Sequence, residues 1–192
     1  VFSPQSDRVA IALSDGRTMI RTLHSNSRES FLLPGNKDEN LTVAFSNSGK
    51  GLALAGARGN IRFWTLSDRP TAAGSVQLPF QFYRAMDGRL QFILGHSLLL
   101  ASDGLRAGAA IRLNSDFRPG SVTVLHNHPN PSEVMGDRPT PFAVHPRLPL
   151  LVTAGNDHNA AVWSLAKDVI EPRANPLRGH EDGILTMAFS PD

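Results

Sequence analysis

The chain contains no cysteine in its 192 residues. This excludes a disulfide framework, a thiolate nucleophile and any zinc site built on thiolates, and it leaves the compartment open. Long apolar runs are missing as well. No stretch is long enough to span a bilayer and none reads as a signal peptide, so no membrane partner is expected. An excess of one charge is also lacking: 19 Lys and Arg stand against 17 Asp and Glu, a net +2 with His neutral. Arg58, Arg62, Arg69, Arg84, Arg89 and Arg106 are scattered without interleaved aromatics, which reads as solvated surface, and no nucleic-acid partner is expected. Nor is there a phosphate loop. Gly56-Ala57-Arg58-Gly59 leads into a strand where a phosphate site would need a helix.

What is present suits a turn-rich all-β chain. Hydrophobic residues make up 41 %, enough for a buried core, while 16 Gly and 14 Pro are spread without a short period. A collagen-like or disordered composition would look different. The length fits one domain or part of a larger one. The chain begins at Val1, and both ends fall inside apparent strands or turns, so the expectation is a piece of a longer protein.

The most informative stretch is residues 150–163, LLVTAGNDHNAAVW. Two apolar runs flank a Gly-Asn-Asp-His-Asn cluster, which reads as a β-hairpin. Thr153 lies ten residues before Trp163 and Asp157 six before it, so a hydroxyl, a turn carboxylate and an indole recur along one hairpin. Buried indole N–H groups need acceptors, and a hydroxyl or a turn Asp can supply one. Downstream, residues 177–192 read LRGHEDGILTMAFSPD, a Gly-His pair followed by an apparent strand.

On these residues the chain resembles the WD-repeat β-propellers, whose repeat opens near Gly-His, carries Ser/Thr and Asp on a central hairpin and ends at Trp. The apolar Phe slots support the resemblance. From Phe2 they recur at Phe45, Phe92, Val144 and Phe189, at steps of 43, 47, 52 and 45 residues, near the blade period of about 40–45. The implied fold is an all-β propeller segment of about four blades, each a four-stranded antiparallel sheet, forming an incomplete arc of a larger propeller. The approximate units are 1–40, 41–88, 89–139 and 140–183, with a further blade starting at 184–192. Trp64 occupies the Trp place of the second unit, but there Leu54 replaces the hydroxyl and Arg58 the turn carboxylate. Arg21 stands at the Trp place of the first unit. The third unit is degenerate, and residues 126–140 form the longest loop. Strands are expected at 75–78, 121–125 and 184–190, and residues 66–73 are expected to be a loop.

The resemblance implies that Thr153, Asp157 and Trp163, with a loop His such as His180, form a buried structural hydrogen-bond tetrad and not an active site. His126 or His128 is the alternative partner upstream. Other constellations are weaker. His126, His128 and His145 with Asp137 lack the fixed geometry of a metal site. Asp15, His24 and Ser25 have the residue types of a hydrolase triad but no nucleophile elbow. No catalytic residue, metal or cofactor is therefore expected. The implied function is a protein-interaction scaffold taking protein or peptide partners, alongside the remaining blades of the parent chain, in the cytoplasm. Arg58, Met135, Arg138 and Asn156 are expected to contribute from one rim. The rival from another class is a regulatory or sensor propeller attached to a catalytic domain outside this chain.

Overall fold

In a computed structural model of the chain, the residues described are 1–23, 29–35, 40–82, 89–93, 97–103, 108–125, 142–154, 158–165, 170–173 and 175–190. Every regular element among them is a β-strand. The first sheet is built from β1 (Arg8–Ala12), β2 (Thr18–Thr22) and β3 (Ser30–Leu33). The second contains β4 (Asn40–Phe45), β5 (Gly51–Gly56), β6 (Asn60–Leu66) and β7 (Pro70–Gln77). The third contains β8 (Arg89–Phe92), β9 (Leu98–Ser102), β10 (Gly108–Leu113) and β11 (Pro119–Val124). The fourth contains β12 (Phe142–Val144), β13 (Leu150–Ala154), β14 (Ala160–Ser164) and β15 (Glu171–Pro172). Within each sheet the spatial order follows the chain and every pairing is antiparallel. These are blade-like meanders, and none of the sheets closes on itself.

Val1 to Ser3 extend the first sheet at its β1 edge. The amide of Ala10 bonds the Val1 carbonyl and that of Ser3 bonds the Arg8 carbonyl, both at 2.9 Å, with Phe2 bridged to Val9. All four sheets therefore carry, at the edge that comes first in the chain, a segment containing Phe2, Phe45, Phe92 or Val144.

Alternation along the strands explains how the sheets stack. On β6, Ile61 and Phe63 point to one side while Trp64 and Leu66 point to the other, and all four are buried. One side meets Leu99, Ala109 and Ile111 of the third sheet; the other meets Ala10, Ile20 and Leu33 of the first. The far side of the third sheet, with Leu98, Leu100 and Ala110, packs on Leu151, Ala161 and Trp163 of the fourth. A four-stranded sheet that is apolar on both faces cannot satisfy itself and must be sandwiched. Each fully buried Leu, Ile or Phe contributes about 1.5–3 kcal/mol, so face-to-face burial is the dominant force between neighbouring sheets. Polar links add direction. Arg62 reaches from the second sheet to donate to the carbonyls of Pro34 (3.2 Å) and Gly35 (2.8 Å) at the end of β3.

Three expectations about strands need correction. The outer strand of the second unit starts at Pro70, within the stretch read as a loop, and runs for eight residues. Proline fits there because the strand begins at an outer edge where no N–H is required, and a register shift opposite Phe63 and Trp64 leaves Ala73 as the extra residue beside Gly74. The outer strand of the third unit likewise starts early, at Pro119. Residues 184–190 form no ladder. They instead lie on the face of the fourth sheet, with Ile184 and Met187 against Val152, Ala154 and Ala160, and with the Phe189 ring 4.9 Å from that of His145. A strand needs a backbone partner at about 4.8 Å, and this segment has a sheet face beside it.

Candidate functional site

The hydroxyl and indole singled out in the fourth unit do meet. In the β13–β14 ladder Leu151 is opposite Trp163 and Thr153 opposite Ala161, so the Trp163 ring lies diagonally across from Thr153. Its Nε1 donates to Thr153 Oγ1 at 2.8 Å. Trp163 is only 4 % exposed, inside the core between the third and fourth sheets. An oxygen engaged in this way satisfies a buried donor, which is a structural duty. Asp157 lies outside the described residues. His180 is exposed, beyond the point where Leu177 pairs with Ala160, and it makes no hydrogen bond among the described residues. It does not join Thr153 and Trp163. The physical reason is its place in the chain: it precedes residues 184–190, which pack over the outer face of the sheet, on the side away from the indole.

The second sheet shows the same frame without the hydroxyl. Leu52 is opposite Trp64 and Leu54 opposite Arg62, matching the fourth-sheet register, and Leu54 is fully buried. The Trp64 indole N–H is buried and has no hydrogen-bond partner among the described residues.

The turns gather at two ends of the sheets. At one end are the β1–β2 and β5–β6 connections. Asp15 and Arg17 clamp the first of these: Arg17 donates from its backbone (3.0 Å) and its Nε (2.6 Å) to the Asp15 carboxylate. The side-chain hydrogen bond from Arg17 holds the Asp15 carboxyl below its ordinary range, and Asp15 raises the Arg17 guanidinium in return. Arg58 is exposed on the β5–β6 turn, where its carbonyl accepts Gln77 Nε2 at 2.6 Å. Met135, Arg138 and Asn156, assigned with Arg58 from the sequence, lie outside the described residues.

The opposite end carries a feature that sequence reasoning did not find. An open groove of about 780 Å³ runs across the turn before β1, the β4–β5 turn and the β10–β11 turn. Gln5 crosses between two of these turns, donating from Nε2 to the Ser48 carbonyl at 3.1 Å. Arg8 donates from Nη1 to the Leu66 carbonyl at 3.4 Å, with its Nε 3.8 Å from Asp7. Phe117 forms part of the wall and is wedged inward, stacked on Phe92 (5.4 Å) and edge-on to Phe63 (5.9 Å). The convergence of Ser67 and Ser115 with Gln5 and Lys50 is a tertiary fact. Nothing in the local pattern of any one turn signals it.

Among the described residues, no group of three or more His, Asp or Glu could hold a metal ion, and no helix is long and apolar enough to cross a membrane. No known protein-family model matches the chain.

Proposed function

We propose that this chain is a WD-repeat propeller segment acting as a protein-interaction scaffold, with partners docking on its rim loops and further blades supplied by the parent protein. One observation carries the reading: four antiparallel meanders stack face to face in chain order, leaving the turns at two rims. Rigid sheets that hold irregular loops in fixed positions preorganise a surface, which lowers the entropic cost of docking. The Thr153–Trp163 bond supports the WD-repeat assignment, because hydroxyl and indole meet at the spacing on which the resemblance rests. The rim carrying Arg58 is the proposed surface for protein partners, with Met135, Arg138 and Asn156 contributing. Exposed Arg and Met side chains are over-represented in interface cores.

Capture from a native lysate tests this. Arg58→Glu and a deletion of residues 126–140 are expected to remove the captured protein, whereas changes across residues 67–73 leave it bound. If only the changes at 67–73 release it, the docking rim is wrongly assigned. If no captured protein responds to either rim, the scaffold reading fails.

A further inference from the structure

The groove at the rim opposite Arg58 has the features of a built site. Its floor is tied across two sheets by the Gln5–Ser48 and Arg8–Leu66 hydrogen bonds, so its shape does not depend on a single loop. Ser6 and Phe117, one near each wall, are non-glycine residues at positive φ, 57° and 63°. Left-handed backbone at such residues costs energy and persists only where the surroundings enforce it, which is a feature of functional surfaces.

The charges in the groove indicate what it takes. Asp7 is already engaged, accepting Ser3 Oγ at 2.6 Å and facing Arg8. Lys50 and Asp116 line the same groove, both exposed, and neither has an ion-pair partner among the described residues. One unpaired cation and one unpaired anion give no row of a single sign, so a phosphate backbone or an anionic membrane would gain little. A sugar would need an open aromatic face. Phe117, the groove's aromatic residue, has Phe92 stacked on it and Phe63 at its edge. The hydroxyls of Ser67 and Ser115 donate to the Arg69 carbonyl (3.1 Å) and to Asp116 Oδ1 (3.4 Å), which leaves their oxygens as acceptors for the N–H groups of an extended backbone.

We propose that this groove binds a short extended peptide that places an acidic side chain against Lys50 and a basic one against Asp116. This rests on the scaffold reading and extends it to a second rim. A folded partner would dock on the Arg58 rim while a linear segment occupies the groove.

The test pans a phage-displayed library of random seven-residue peptides on the full chain, then measures synthetic copies of the enriched sequences by fluorescence anisotropy. Enriched peptides are expected to carry one acidic and one basic residue. Lys50→Glu is expected to weaken them by about tenfold or more, the scale of one lost charge pair. Replacing the acidic residue of the peptide with Lys should restore binding to Lys50→Glu, and the mirror experiment should hold for Asp116→Lys. Both residues are exposed, and circular dichroism checks that the variants fold; Lys50→Gln replaces Lys50→Glu if needed. If binding responds to Arg58→Glu and ignores Lys50→Glu, the groove assignment is overturned while the scaffold reading stands. If nothing is enriched above an unrelated β-sheet protein, the groove assignment is also overturned, and the lysate capture decides the scaffold reading independently.

Discussion

Trp64 and Trp163 occupy matching places on the third strands of their sheets, yet only Trp163 finds an acceptor. The difference is one residue. Thr153 provides an oxygen where Leu54 provides methyl groups, so the fourth sheet gains a hydrogen bond and the second sheet carries an unpaired buried donor. Losing a buried donor's partner costs about 1–3 kcal/mol, whereas removing an unpaired donor relieves a penalty of similar size. Thr153→Val should therefore lower urea-unfolding stability by about 1–3 kcal/mol. Trp163→Phe and Trp64→Phe remove the same volume, but Trp163→Phe should cost about 2–4 kcal/mol more, because it breaks a bond worth about 1 kcal/mol while Trp64→Phe relieves a penalty of about 1–3 kcal/mol. Equal losses in the two sheets would show that the Trp163–Thr153 bond contributes nothing net. This contrast was readable before the fold was known, since the ten-residue spacing places Thr153 and Leu54 in equivalent positions. The failure of His180 to join was not. Whether a loop histidine turns inward depends on where the following segment goes.

At the scale of single elements, two glycines show how tightly turns and strands are fitted. Gly51 opens β5, and a methyl group added there would overlap the tip of the Phe117 ring, itself held between Phe63 and Phe92. Gly59 has φ +81°, and an added methyl group would run into the Phe80 carbonyl. The ring at Gly51 can shift with some repacking, whereas backbone at Gly59 cannot. Gly51→Ala should cost about 1–3 kcal/mol, the usual penalty of overpacking, and Gly59→Ala more, because left-handed strain is added to the clash. Thermal melts of both variants check the order, and a Gly59→Ala protein as stable as the parent would contradict it. Element by element, the central hairpins were the most legible parts, because apolar alternation and turn residues agree there. The outer strands were less so. Pro70, Gly74 and Pro119 look like loop residues, and only an edge position makes them acceptable in a strand. Residues 184–190 misled in the other direction: an apolar run marks something to be buried, and a sheet face can bury it as well as a ladder.

On the scale of the whole molecule, the sheets form an ordered stack whose two end faces differ. Ile184 and Met187 cover part of the outer face of the fourth sheet. The outer face of the first sheet carries a row from Ile11 through Met19 to Leu32, cross-strand neighbours by register, with Ile11 41 % and Leu32 50 % exposed. An apolar row on a sheet face favours self-association. Sedimentation of the chain should show oligomers that a double Ile11→Lys, Leu32→Lys variant loses, and an unchanged distribution would place the contact elsewhere. The groove belongs to this scale as well. Gln5, Lys50 and Asp116 are far apart in sequence, so no motif could have announced it.

We propose that the stacked sheets serve to present rim loops to a protein partner. Hydrogen–deuterium exchange of the chain alone and bound to its captured partner tests it most directly. Slowed exchange is expected at the turns of the Arg58 rim, residues 57–59 among them, while strand amides within the sheets keep the protection they had in the free protein. Protection confined to β1, β2 and β3, with the rims unchanged, would mean that partners add to the open sheet face and not to the rim loops.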